Sequence, residues 1–129
     1  MRPRLWFGLA AVAALWVASA QAAPQVILRV NVPFEFVAEG RTLPAGTYEV
    51  MEQSPTLVEL RAANGTPAAR ALVTRLAASE VAAATDEAIF DEVGSENVLS
   101  EIWRSGEDGY LVAATKAPHT HVRVKGSKK

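Results

Sequence analysis

Cysteine is absent from this chain of 129 residues. Its absence excludes disulfides, thiolate metal sites and a cysteine nucleophile, as well as the lipid-modified cysteine that anchors a typical bacterial lipoprotein. Any fold therefore has to be held together by its apolar core. The chain also lacks the alternation of strand and helix patterns that marks nucleotide-binding α/β folds, and no cofactor is predicted.

The first residues are typical of a secretory signal peptide. Two arginines precede an uncharged apolar run over residues 5–18, and the small residues Ala20 and Ala22 follow at alternate positions. This pattern predicts a signal-peptide helix over residues 1–22 with cleavage between Ala22 and Ala23, and cleavage after Ala20 is the alternative. An uncleaved anchor needs about 20 apolar residues, which is more than this run supplies. We therefore expect an exported protein, periplasmic or extracellular.

Charge is distributed unevenly along the chain. Removal of residues 1–22 lowers the number of basic residues from 13 to 11 against 14 acidic ones, and the resulting net charge of −3 argues against nucleic acid as a partner. Nine acidic residues and one basic residue lie between Glu80 and Asp108, whereas all five charged residues from Lys116 onward are basic. We interpret residues 116–129 as a basic, flexible C-terminal tail. The alternative is a tail that contacts anionic cell-envelope polymers or the acidic face of its own domain.

The clearest strand pattern covers residues 26–36, where apolar side chains occupy every second position. A period of two predicts a half-buried strand with one face on the core. Pro33 lacks an N–H group, so the strand should lie at a sheet edge or bend there. The LPAG sequence of residues 43–46 then predicts a type I turn, after which Tyr48 and Val50 are expected to face inward.

The pair Asn64-Gly65 predicts a β-hairpin, because both residues readily take the positive φ angles of a type I′ turn. A two-residue loop places Glu59 opposite Arg70, which is a favourable cross-strand charge pair. The same register gives three further pairs: Arg61 with Ala68, Leu60 with Ala69, and Val58 with Ala71.

A second hairpin is predicted across Gly94-Ser95, a pair suited to a type II′ turn. Its register places Phe90 opposite Leu99. The alternation of side chains along the second strand then puts Trp103 on the same face as Leu99.

These patterns together predict an all-β fold. Turn signals separate about seven strands at intervals of roughly 8–12 residues, as in an antiparallel β-sandwich or a small barrel. We expect a single domain of this kind over residues 23–115. After removal of the signal peptide the chain is long enough for one such core.

Three motifs extend this interpretation: VPFEF at residues 32–36, LPAGTY at residues 43–48 and LSEIW at residues 99–103. In this order they resemble a family of uncharacterised small secreted bacterial proteins, with the pattern V-P-F-x-F, L-P-A-G-x-Y and a late hairpin ending in L-S-x-[IV]-W. The chain departs from that pattern around the late turn, where Asp91, Glu92 and other acidic residues replace aromatic and basic ones. The resemblance implies an exported β domain and transfers no catalytic residue.

His119 and His121 are candidate metal ligands. Residues two apart on a strand point the same way, so both imidazoles can approach one metal ion. A third ligand has to come from elsewhere in the chain, and Glu101 and Asp108 are the candidates. The alternative is two polar side chains in a mobile tail.

Trp103 and Tyr110 are candidate ligand-binding residues. Trp103 precedes an arginine and Tyr110 lies beside a turn, which is an arrangement that can present an exposed aromatic platform to a sugar or a peptide. The alternative is that both rings belong to the core, like Phe34, Phe36 and Phe90 at their alternating apolar positions.

The sequence predicts no catalytic residue. The adjacent carboxylates Asp91/Glu92 and Glu107/Asp108 point to opposite faces of a strand, whereas a glycosidase needs two carboxyl groups facing each other across a cleft. No serine lies in a nucleophile elbow. We therefore expect a non-enzymatic binding or structural module of the cell envelope or exterior, whose partner is an envelope polymer or another exported protein. The alternative is a small hydrolase acting on envelope or environmental glycans.

Overall fold

The computed structural model describes residues 24–78 and 85–127 as β-strands joined by turns and loops, which confirms the all-β prediction. The predicted signal peptide of residues 1–22 and the cleavage site between Ala22 and Ala23 lie outside the described residues. Among the residues that are described, no helix has the length and apolar character needed to cross a membrane.

Eleven strands make up the described fold, rather than about seven. They are β1 (Gln25–Val32), β2 (Phe36–Ala38), β3 (Arg41–Leu43), β4 (Gly46–Ser54), β5 (Leu57–Ala62), β6 (Pro67–Leu72), β7 (Thr74–Leu76), β8 (Glu87–Val93), β9 (Glu96–Trp103), β10 (Gly109–Leu111) and β11 (Thr120–Ser127). The count is higher mainly because two expected strands are each divided. Pro33 ends β1 before β2 begins, and Val73 separates β6 from β7.

The strands form one nearly closed barrel. The hydrogen-bonded order is β3-β2-β9-β8-β11-β1-β4-β5-β6, and β10 pairs with both β7 and β9. Because β7 follows β6 after a single residue, β10 links the β6 side of the sheet back to β9. The ladders are antiparallel except for that between β2 and β9, where Val37 lies opposite Val98 in a parallel pair.

The C-terminal segment differs from the expected flexible tail. Residues 120–127 form β11, which pairs with β8 on one side and with β1 on the other. Val122 and Val124 pack against the core, while Arg123 forms an ion pair with the buried Glu87. The basic segment thus lies on the acidic face of its own domain, which was the alternative interpretation, because alternating valines and opposite charges together favour a strand.

The register of the first hairpin is confirmed for three of its four pairs. Leu60, Glu59 and Val58 lie opposite Ala69, Arg70 and Ala71, as predicted. Nearer the turn a bulge shifts the register, so that Arg61 lies opposite Pro67 instead of Ala68. The loop is therefore longer than two residues, and it is closed by backbone hydrogen bonds from Ala62 N to Thr66 O and from Gly65 N to Ala62 O.

The second hairpin contains a bulge that changes the direction of its last side chains. Phe90 lies opposite Leu99 as predicted, but Ile89 lies opposite Glu101, so that Ser100 is an extra residue in β9. An extra residue reverses the alternation beyond it. Ile102 consequently joins the core, and Trp103 lies on the outer face rather than on the same face as Leu99.

Side chains fill the interior of the barrel. Phe36 packs edge to face against Tyr48 and Phe90, with ring centroids 5.2 and 5.3 Å apart. Phe34 makes the same kind of contact with Phe90 at 5.1 Å. The central cavity, lined in part by Phe36, Tyr48 and Phe90, measures about 10 Å³, which is no more than the space of one water molecule. This cavity cannot carry an apolar ligand.

Polar side chains close the barrel where β7, β9 and β10 meet. Tyr110 is completely buried there, opposite Ile102 of β9. The guanidinium groups of Arg75 and Arg104 lie 5.2 and 5.3 Å from the centre of its ring, and Arg75 also pairs with Glu52 at 3.1 Å. These cation–π contacts and the ion pair place both guanidinium groups against the buried Tyr110 ring.

Substitution of Gly109 by alanine should destabilise the fold. A Cβ atom at this position would lie 2.5 Å from Cε3 of Trp103, so the indole ring has to move. Overpacking of this kind costs about 1–3 kcal/mol. The free energy of unfolding in urea measures the loss. Trp103 is the tryptophan that remains after removal of residues 1–22, so its emission maximum should also shift to the red in the native variant.

Gly40→Ala is the matched control. Gly40 has a φ angle of +74°, and a Cβ atom added there would meet no other atom within 4 Å, so this variant introduces backbone strain without displacing a ring. It should lose stability with no change in native Trp103 emission. Equal emission spectra for the two variants would contradict the packing of Trp103 on Gly109.

Alkaline titration tests the burial of the two tyrosines. Burial raises the pKa of Tyr48 above its ordinary value of 10.0. Burial also raises the pKa of Tyr110, although the charges of Arg104 and Arg75 oppose it. Both groups favour their neutral form in the folded state, so their contribution to the free energy of unfolding should be fully present below pH 10 and be lost as the pH rises further.

The absorbance of tyrosinate against pH provides the measurement. In the native protein it should rise only above the ordinary tyrosine range and together with loss of the far-UV circular dichroism of the folded state. The denatured protein should titrate near the ordinary value, about 10. Native tyrosines that titrate at that same pH would show that the rings are not buried as described.

Candidate metal centre

The segment between β10 and β11, residues 112–119, crosses the outer side of β9 and is called the crossover segment below. Its first residues dock on the bulge in β9. The amides of Val112 and Ala113 donate to the carbonyl of Ser100 at 2.7 and 3.2 Å, and the Ser100 hydroxyl donates to the carbonyl of Ala113 at 3.0 Å. The bulge frees Ser100 from direct pairing with β8, which makes these contacts possible.

Asp91 of β8 is a buried carboxylate beneath the crossover segment, with 1% of its surface exposed. Burial by itself raises the pKa of Asp91. Hydrogen bonds with Thr115 and His121, the nearby Ser100 hydroxyl and the charge of His119 outweigh it, and they hold the pKa below its ordinary value of 3.8. The carboxylate is therefore ionised at neutral pH.

The two histidines meet at this carboxylate. His121 is the second residue of β11 and lies opposite Asp91 in the ladder with β8, with its Nδ1 atom 2.9 Å from Oδ1 of Asp91. His119 ends the crossover segment, and its Nε2 atom lies 3.7 Å from the same oxygen. The ring centroids are 5.0 Å apart. Ligand atoms from all three residues lie within 4.8 Å of one another.

The orientation of His119 is fixed by its other ring nitrogen. Nδ1 lies 2.7 Å from the carbonyl oxygen of Ala117, and because a carbonyl only accepts, Nδ1 carries the proton. Nε2 is then the ring nitrogen of His119 that faces Asp91 and is left to act as a ligand. A backbone carbonyl that holds a histidine in this way is a recurring feature of metal sites.

Asp91, rather than Glu101 or Asp108, is the acidic residue that lies beside the two histidines. Glu101 accepts a hydrogen bond from Nε1 of Trp103 at 2.7 Å, and Asp108 accepts one from the amide of Ala78 at 3.0 Å. One feature of the sequence indicates that Asp91 lies near the histidines. The segment around Asp91 is acidic and the segment from Lys116 onward is basic, and opposite charges favour the pairing of two strands. The register that selects Asp91 comes only from the ladder of β8 with β11.

Distances and donor types in this cluster suit a small divalent cation. A tetrahedral zinc ion with bonds of about 2.0–2.1 Å separates its ligand atoms by roughly 3.3 Å. Two of the three separations, 2.9 and 3.7 Å, lie on either side of that value, and the third is within 4.8 Å. Two imidazoles and a carboxylate also form a common donor set for zinc and other first-row transition metals. A metal ion held by Nδ1 of His121 would require the proton of the neutral ring to lie on Nε2.

Trp103 and Tyr110 differ from the expected exposed platform. Trp103 is 6% exposed because its ring packs over Gly109, and Tyr110 is completely buried between neighbouring strands. Both rings therefore belong to the packed structure, which was the alternative interpretation. Phe36 and Phe90 are buried in the core as expected, and Phe34 packs against it.

The variant Asp91→Asn should destabilise the protein. The amide group replaces one acceptor oxygen by a donor, which then faces the hydroxyl groups and the imidazole that surround Asp91. An unsatisfied buried group of this kind costs about 1–3 kcal/mol, to be measured by urea unfolding. Glu92→Gln is the control on the neighbouring, exposed residue, and its effect should stay within about 0.5 kcal/mol. Equal effects of the two variants would contradict the buried hydrogen-bond network.

Comparison with known proteins yields no relative for this chain. No protein-family model matches it, and no curated protein or solved structure matches it either. The resemblance carried by the three sequence motifs therefore stays a prediction, and any function has to be argued from the geometry of the described residues.

Proposed function

We propose that this chain is an exported, non-enzymatic β-barrel module that binds a divalent first-row transition metal ion, with zinc as the reference ion. The observation that carries the proposal is the convergence of Asp91, His119 and His121, which brings three ligand atoms within 4.8 Å. The residues come from β8, the crossover segment and β11. Their separation in sequence means that the folded barrel preorganises them, which lowers the cost of binding.

A binding role is also supported by the partners of the carboxylates that a hydrolase would need. Asp91 is enclosed by hydrogen bonds, and Glu92 accepts one from the Thr120 hydroxyl at 3.1 Å. Glu107 pairs with Arg104 at 2.9 Å, and Asp108 caps the amide of Ala78. Each of these four carboxylates has a local structural partner, so they favour a non-enzymatic module over a glycan hydrolase.

Export is supported by the N-terminal sequence pattern. The barrel begins at Gln25, just after the expected cleavage between Ala22 and Ala23, so removal of residues 1–22 leaves every described strand intact. An oxidising compartment would place no constraint on a chain without cysteine. The proposed location is the periplasm or the exterior. The candidate site needs no thiolate there, because its ligand atoms are nitrogen and oxygen.

Zinc titration by isothermal calorimetry tests the proposal. The full chain is expressed in a bacterial host that exports it, and the mass of the purified protein reports whether cleavage follows Ala22. We expect one zinc ion per chain. Removal of one imidazole, in His119→Ala or His121→Ala, should weaken zinc binding by about 10–100-fold or more. Mutation of a residue that only orients a metal ligand already lowers metal affinity by about this factor.

Thr120→Ala is the matched control, because Thr120 lies between the two histidines and its hydroxyl is directed to Glu92. Its zinc affinity should equal that of the unaltered protein. Added zinc should also raise the melting temperature of the unaltered protein and leave that of His121→Ala unchanged. Binding that survives the loss of either histidine would disprove the proposed site.

A further inference from the structure

The cluster supplies three protein ligands, whereas a tetrahedral zinc ion takes four. Among residues 24–78 and 85–127, the group of metal-ligating side chains at this point consists of Asp91, His119 and His121. Closed structural sites use four protein ligands, while sites with three keep a position for an exogenous molecule. The geometry therefore leaves one coordination position for a ligand from outside the chain.

Exposure of the three side chains shows where that position lies. The Asp91 side chain is 2% exposed, the His119 side chain 21% and the His121 side chain 54%. The carboxylate thus forms the floor of the site and the imidazoles form its rim. A metal ion bound between them lies at the surface, and its free position faces solvent on the side opposite Asp91.

Charge indicates which ligand suits this position. A divalent ion on one carboxylate and two neutral imidazoles has a net charge of +1. Lys116 of the crossover segment and Lys125 of β11 add exposed positive charge on the elements that carry the histidines. Glu92, the exposed acid beside Asp91, accepts a hydrogen bond from the Thr120 hydroxyl, and its carboxylate is one negative charge against the two lysines. Since the site with its ion is cationic and zinc also binds carboxylate oxygen atoms, an anionic oxygen ligand is favoured over a neutral one.

We propose that the metal ion at Asp91, His119 and His121 is a recognition element whose open position binds the carboxylate group of an external ligand. This inference rests on the proposed metal-binding function. It assigns the ligand a chemical class, that of molecules with an accessible carboxylate. The protein surface holds the ion through three bonds, and the ligand carboxylate supplies the fourth.

Cobalt substitution makes the coordination visible. Co²⁺ replaces Zn²⁺ in sites of this type, and the intensity and position of its visible absorption bands depend on ligand number and type. The protein loaded with Co²⁺ is titrated with sodium acetate, with sodium perchlorate keeping the ionic strength constant. Acetamide has the same size as acetate without its charge, so it is the matched probe. We expect a saturable spectral change with acetate and none with acetamide at equal concentration.

The outcomes separate this inference from the function on which it rests. If Co²⁺ fails to bind, or binds equally well to His121→Ala, the metal site itself is wrong. If Co²⁺ binds to the unaltered protein but acetate leaves its spectrum unchanged, the site is closed and the carboxylate inference is overturned while metal binding stands. A response to acetate that acetamide reproduces, or that Co²⁺ shows equally without protein, also overturns it. A Lys116→Gln variant that keeps Co²⁺ and requires more acetate for saturation supports the contribution of charge.

Discussion

The pairing of β8 with β11 is the interaction on which the rest of the structure depends. β8 carries buried acidic side chains on its outer side, and β11 places Arg123 and His121 against them. A buried carboxylate is costly unless it is paired and hydrogen-bonded. The pairing also inserts β11 between β8 and β1, so the C-terminal segment joins the two parts of the barrel wall. The same contact that completes the wall therefore creates the candidate site.

One irregularity of the backbone completes that site. The bulge at Ser100 reverses the alternation along β9, sends Trp103 outward and leaves the Ser100 carbonyl and hydroxyl to hold the crossover segment. That segment covers Asp91 and delivers His119 to it. Without the bulge, Ser100 would pair within the ladder and the crossover segment would lose its anchor. Structure and candidate function thus share a single local feature.

Prediction from sequence was most successful where neighbouring residues decide the outcome. The hairpin registers around Glu59/Arg70 and Phe90/Leu99 follow from turn chemistry and alternation, and the structure confirms them. Prediction failed for Trp103, because the extra residue Ser100 reverses the alternation of side chains before it. No residue pattern in this part of the sequence indicates a bulge. Prediction also failed for residues 120–127, because the strand partner that pairs with these basic residues, β8, is distant in the chain.

The sequence by itself determined the all-β class, the absence of disulfides, the alternating strand faces and the pair of histidines two residues apart. These properties are local, because they depend on residue type and on periods of two. The tertiary structure alone decided that the strands close into a barrel with a filled interior, and that Asp91 meets His119 and His121. Thirty residues separate Asp91 from His121 along the chain. Only the register of two paired strands brings them together, and a shift of one residue would turn the carboxylate to the opposite face.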